Sequence, residues 1–200
     1  VIGNDIVDLG LARQTTHWKR KTYLQKLYSP SEQQLILESS DSIAMLWRLW
    51  SMKESGYKLF LQSGGNPFYN PTKIECSLRS ISDGSIQIGS FTAETHTCEK
   101  NNYLFSIAKK NLQATFKSKV FCVEGENPSE VSAYCHHYII ALISREMRLP
   151  SLLFQLRKSK SGAPILEYKD QAIETPISLS HHGLYGLVSY AVPHPFPGQD

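Results

Sequence analysis

Three places in the sequence put chemically capable side chains among residues that do no chemistry. Glu54 lies in register with Ile43, Trp47, Trp50, Tyr57 and Leu61, which recur at alternating spacings of four and three and so share one helix face. An ionised carboxylate on an apolar stripe is expensive unless it is paired or bound to a metal. An ion pair with Lys53 or Lys58, or a stripe that turns to solvent, is the plain alternative. Asp5 is the second case, a carboxylate just after Gly3 in an apolar run, with a cap or turn role as its alternative. A hard cation such as Mg²⁺ takes oxygen ligands, commonly one or two carboxylates, so two carboxylates from separate elements can share one ion. The third case is Ser180-His181-His182-Gly183. Serine beside histidine evokes nucleophilic catalysis, but neighbours on a strand face opposite ways, which disfavours a hydrolase pair. A surface turn and phosphate binding by His181 are the two readings left.

The elements that must carry these residues can be traced from the pattern. VIGNDIVDL reads as a central strand, with aliphatic residues on both faces. Thr16 to Tyr28 is expected to be helical, and Ser29-Pro30-Ser31-Glu32 breaks it and opens a new helix. After a second break at Ser39 to Ser42, a long helix is predicted from Ile43 to Leu61, stopped by Gly64-Gly65-Asn66-Pro67. KIECSL, SIQIGSF and NYLFSIAKK read as strands of an antiparallel sheet. A second unit is expected to begin between Lys110 and Lys119, with the strand KVFCVE and a helix capped by Asn127 or Ser129 that ends before Pro150. SLLFQLRKS, APILEY, TPISLSHHG and LYGLVSYAV then alternate short strands with turns. The repeated order of strand, helix and strands predicts two similar α+β units, although the halves share no close sequence repeat.

Composition narrows the partners. Two hundred residues, 41% hydrophobic and 20% charged, can bury a sizeable core as one domain or two small ones. A formal charge of +3 is too small to argue for nucleic acid and suits an anionic ligand or an acidic protein surface. Two basic groups, His17, Lys19, Arg20, Lys21 and Lys26, and Arg157, Lys158 and Lys160, read as solvated faces. Cys76, Cys98, Cys122 and Cys135 lack metal-site spacing and are expected to be reduced core thiols. No apolar run approaches the ~20 residues of a membrane span, and Asp5 and Asp8 interrupt any signal-peptide pattern, so a cytoplasmic protein without membrane contact is expected.

Three segments together, GNDIVDL at 3–9, WSMKESGYK at 50–58 and ISLSHHG at 177–183, resemble the 4'-phosphopantetheinyl transferase superfamily. Gly3, Asp5 and Ile6 match its Gly-x-Asp-Ile signature. Trp50, Lys53, Glu54, Ser55 and Lys58 match its long-helix signature, and Ser180 with His181 matches its Ser-His element. LYSPSEQQLI, NPFYNPTKIEC and KSGAPIL are weaker matches. The resemblance implies an α+β pseudo-dimer, each unit a small antiparallel sheet packed on a long helix. Residues 1–109 would form the metal-binding catalytic unit and 110–200 the coenzyme A unit. It further implies Mg²⁺-dependent transfer of 4'-phosphopantetheine from coenzyme A to a serine of an acyl or peptidyl carrier protein, releasing 3',5'-bisphosphoadenosine.

By the same resemblance, Asp5 and Glu54 would hold the metal, and Lys58 would reach the leaving phosphate. His181 and Ser180 would hold the 3'-phosphate, Gly162, Ala163 and Pro164 would lie beside adenine, and Lys53 would be structural or touch phosphate. Glu54 or a water on the metal would accept the serine proton. The longer family type has an acidic residue at the position of Val7, so the metal site looks like the short synthase type. Ala163 stands where a basic residue is frequent, and the Ser-His half follows the metal half instead of preceding it. A monomeric pseudo-dimer is expected. The alternatives are an inactive relative that binds coenzyme A or a carrier protein, a Ser180 hydrolase, and a protein-interaction domain.

Overall fold

The computed structural model describes residues 1–20, 22–110, 116–125, 127–159 and 162–191. Lys21 and Lys160, from the two basic groups, lie outside them, as do part of KSGAPIL and part of the expected junction between units. The chain opens as strand β1 (Ile2–Asp8), which the Asp8 side chain ends by accepting the Leu11 N–H and capping helix α1 (Leu9–Thr15). The helix expected over Thr16 to Tyr28 is thus displaced. Thr16 is extended, and among the described residues of that stretch only α2 (Tyr23–Leu27) is helical. An aspartate that both finishes a strand and caps a helix leaves no turn residues between them, so the pattern reads as continuous strand.

Helix α3 (Pro30–Glu38) starts as predicted, with a reciprocal capping box between Ser29 and Glu32 and proline in its first turn. Helix α4 (Ser42–Gln62) is capped by Asp41. Strands β2 (Glu75–Leu78), β3 (Asp83–Ile88), β4 (Phe91–Glu99) and β5 (Tyr103–Lys109) complete an antiparallel sheet of order β1-β5-β4-β3-β2. SIQIGSF, read as one strand, is a hairpin that turns at Gly89, where φ is +56°.

The buried face of α4 carries Leu46, Leu49, Met52, Lys53, Gly56 and Leu59, packed on Tyr28, Ile36 and Ile86. The stripe from Ile43 through Glu54 to Leu61 is only its half-buried flank. The true core face is hard to read because it contains a glycine and a lysine. A Cβ on Gly56 would stand 2.3 Å from Ile86, so the glycine admits that side chain. Lys53 is 1% exposed and paired with equally buried Glu32 at 2.8 Å.

The second unit repeats the plan with β6 (Phe116–Cys122) and α5 (Pro128–Met147), capped by Asn127. Strands β7 (Phe154–Lys158), β8 (Pro164–Tyr168), β9 (Gln171–Ile173), β10 (Ile177–His182) and β11 (Tyr185–Ala191) follow. Here the antiparallel strands divide into β10-β11-β6 and β7-β8-β9 around a core that includes Cys135, Ile139, Ile143, Leu166 and Val188. The molecule is therefore an α+β pseudo-dimer of two similar units, each pairing a long helix with small antiparallel sheets. Cys76 and Cys135 are free core thiols as expected, whereas Cys122 is exposed and Cys98 half-buried. Among the described residues no helix is long and apolar enough to cross a membrane.

The units meet along the free edge of β1. Its other edge pairs with β5. Side chains, not a strand, close the free edge: the Ile2 N–H donates to Gln62 Oε1 at 3.4 Å, Asn4 N–H to Ser178 Oγ at 2.9 Å and Asp8 N–H to His182 Nδ1 at 3.0 Å. Gln62 Nε2 also donates to the Ile177 carbonyl at 2.9 Å, tying α4 to β10. An unpaired edge left dry would strand its amides, and these side-chain acceptors satisfy them.

Candidate functional site

Alternation along β1 sends its side chains to two destinations. Gly3, Asp5 and Val7 face α4, while Asn4 and Asp8 face the second unit. Gly3 sets the spacing, since a Cβ there would lie 1.9 Å from the Ser55 carbonyl oxygen and 2.8 Å from the Leu59 nitrogen. Only glycine lets strand and helix approach this closely. That approach places Asp5, whose side chain is 15% exposed, 3.5 Å from Lys58 Nζ. Lys58 also donates to the Asn4 carbonyl at 2.8 Å, and Ser51 Oγ to that of Asp5 at 3.2 Å.

Burial pushes the Asp5 carboxyl up to about 7, with Lys58 opposing and the charge of Glu54 adding to the rise. Burial raises Glu54 too, again against Lys58. Two carboxylates that burial makes harder to ionise, one of them further opposed by the other's charge, beside one lysine, form an oxygen donor pair short of positive charge. Such a set fits a hard divalent cation. Among the described residues no group of three or more His, Cys, Asp or Glu could hold a metal.

From the second unit, β10 also divides its side chains. Ser178, Ser180 and His182 turn to β1, while Leu179 and His181 take the opposite face. Ser180 is buried and donates to Asn4 Oδ1 at 3.1 Å. His181 is exposed, its pKa lowered by partial desolvation and then by the charge of Lys58, which brings that lysine within electrostatic reach of both units. Lys58, Leu61 and Gln62 of α4 line a cleft whose other wall is Gly162, Ala163, Pro164, Ser178 and Leu179. Gly162 takes φ +82°, and the Ala163 N–H is braced by Ser159 Oγ at 3.0 Å.

Of the residues singled out in the sequence, Lys58 and Gly162 to Pro164 line this cleft, and Asp5, Glu54 and His181 lie within electrostatic reach of Lys58. Ser180 lies behind it, in the seam between units. Lys53 is elsewhere: its ammonium group is held by Glu32, the Pro71 carbonyl at 2.9 Å and the Ile74 carbonyl at 2.5 Å, under the Tyr28 ring. With three donors given to three acceptors, it has none to offer a ligand.

Sequence reasoning missed Asn4, Asp8 and His182. The Asp8 carboxylate accepts the Leu184 N–H at 3.1 Å, and Gly183 at φ +55° packs against it. His182 accepts from Asp8 and lies 5.5 Å from the Trp47 ring. The available signal was the alternation of Ser178, Ser180 and His182, polar residues on one face of a strand that a buried seam would need.

A family model described as "4'-phosphopantetheinyl transferase superfamily" matches residues 1–116. No curated protein matches the chain. Among solved structures, the chain is similar to Helicobacter pylori holo-[acyl-carrier-protein] synthase in complex with coenzyme A, at 20% identity and a TM-score of 0.43. That likeness covers 54% of this chain and 97% of the other. Because the family model takes in more than half of the chain, both carboxylates and Lys58 included, the chain belongs to the 4'-phosphopantetheinyl transferase superfamily.

Proposed function

We propose that this chain transfers the 4'-phosphopantetheine arm of coenzyme A to a serine of an acyl or peptidyl carrier protein, with Mg²⁺ held by Asp5 and Glu54. The observation that carries the reading is Lys58, which lines the cleft opposite the Gly162–Pro164 turn and lies within electrostatic reach of Asp5, Glu54 and His181. Family membership of the first unit supports the reaction class. In the reaction the carrier serine oxygen bonds to the β-phosphorus of coenzyme A. The bond from that phosphorus to the bridging oxygen breaks, and 3',5'-bisphosphoadenosine leaves with the electron pair.

Phosphoryl-type transfer depends mostly on positioning and charge stabilisation. Lys58 lies between the two units' contributions and supplies positive charge for the leaving phosphate. His181, kept largely neutral, donates a hydrogen bond to the 3'-phosphate, while Gly162, Ala163 and Pro164 form a flat wall for adenine. Ser180 acts from behind, holding β10 in place, and Lys53 braces α4. Mg²⁺, when bound, neutralises pyrophosphate charge and relieves the repulsion between Asp5 and Glu54. Glu54, whose basicity burial raises, is the protein group suited to accept the serine proton. Residues 1–109 would supply the chemistry and 110–200 most of the nucleotide contacts.

Incubation with coenzyme A, Mg²⁺ and a panel of apo-carrier proteins tests the reading through the phosphopantetheine adduct seen by intact-mass spectrometry. Coenzyme A binding without an adduct on any carrier would replace it with that of an inactive relative.

A further inference from the structure

The seam between the units ends on one side chain. Ser118 of β6, Ser189 of β11 and Ser178 of β10 are register partners across three strands, and the Ser118 and Ser189 hydroxyls lie 2.9 Å apart. This polar row runs through the second sheet and finishes at Asn4 of β1, which is fully buried. Asn4 Nδ2 donates to the Ser178 carbonyl at 3.0 Å, Ser189 Oγ at 2.9 Å and the Leu187 carbonyl at 3.3 Å. Its Oδ1 accepts from Ser178 Oγ at 3.0 Å and Ser180 Oγ at 3.1 Å, so both ends of the amide are saturated by the second unit. The same residue's carbonyl accepts from Lys58 Nζ at 2.8 Å, and its chain neighbour is Asp5.

We infer that Asn4 is a positioning residue that sets the distance between Lys58 and the strand bearing His181, and through it the affinity of the cleft for the phosphates of coenzyme A. This rests on the proposed function. Asn4 touches no ligand: its carbonyl fixes Lys58, and its amide fixes Ser178 and Ser180, the two residues of β10 that flank Leu179 and precede His181. Saturated buried amides are costly to disturb because each lost partner strands another polar group. A change at Asn4 therefore moves one strand relative to the other instead of merely loosening both.

The test is a double-mutant cycle read by calorimetric titration of coenzyme A into wild type, Asn4→Ala, His181→Ala and the double variant, well below each melting temperature. Asn4→Ala is expected to raise Kd about tenfold in the wild-type background and no more than about twofold when His181 is already alanine, a coupling that plain loss of stability does not produce. Ser189→Ala, which removes a single acceptor from the Asn4 amide, gives the same coupling at smaller size and replaces Asn4→Ala if that variant does not fold. Equal effects in both backgrounds, or a folded Asn4→Ala with unchanged Kd, would overturn the inference while leaving the functional reading intact. A wild type with no affinity for coenzyme A would overturn both.

Discussion

Replacing Asp5 by asparagine isolates the charge that the fold tolerates least. Burial lifts this carboxyl from its ordinary 3.8 to about 7. At 1.36 kcal/mol per unit, keeping it ionised at pH 8 in the metal-free protein costs about 4 kcal/mol, an upper limit because the side chain is partly wetted. A folded-state pKa above the unfolded one means the contribution is intact below about pH 4 and is lost as pH rises through 7. Between pH 5 and pH 8 the metal-free wild type should therefore lose about 2–3 kcal/mol from this group, or roughly 5–10 °C in Tm for a chain of this size. Asp5→Asn should flatten that slope. Because Mg²⁺ takes the ionised carboxylate, its stabilisation of the wild type should grow from pH 6 to pH 8 and be nearly absent in the variant. Differential scanning fluorimetry in EDTA and in saturating Mg²⁺, at several pH values, reads both effects. A variant that retains the wild-type slope and the wild-type Mg²⁺ shift would refute the assignment of Asp5 as a buried metal ligand.

Glu54→Gln should lower turnover by ~10²-fold or more with Tm unchanged or raised, since it removes charge without changing shape; near-normal turnover in a carrier-loading assay would exclude Glu54 from the chemistry. Lys53→Ala should cost about 3–5 kcal/mol by leaving Glu32 buried and unpaired, with the Kd for coenzyme A of the folded fraction unchanged; urea denaturation and calorimetry separate the two. Gly3→Ala should cost at least ~1–3 kcal/mol, because its Cβ meets backbone and not a movable side chain, and the same denaturation series would expose a neutral outcome.

The sequence carries the chemistry more plainly than the scaffold. Asp5 and Glu54 stand out because each is polar where its neighbours are not, Lys58 and His181 because of the motifs they sit in, and the structure sets the other three within electrostatic reach of Lys58. The long helix is legible in extent but not in orientation. Its core face holds Lys53 and Gly56, which read as polar and neutral, while Trp47 stands on the flank that looks toward the seam, against His182. The short helix after β1 is hidden by Asp8, which serves two elements at once. Lys53 misleads for a related reason: a motif lysine one residue from Glu54 looks like a ligand, and only the distant Glu32, Pro71 and Ile74 reveal that it is buried. Asn4 is the least visible. Its partners are more than 170 residues away in sequence, and no local pattern predicts such a contact.

The measurement that bears most directly on the central claim is intact-mass analysis of apo-carrier proteins after incubation with this protein, coenzyme A and Mg²⁺, beside parallel reactions with EDTA and with Glu54→Gln. The account predicts a phosphopantetheine adduct on at least one carrier that is lost in both controls. An adduct that persists in EDTA, or in Glu54→Gln at the wild-type rate, would contradict it.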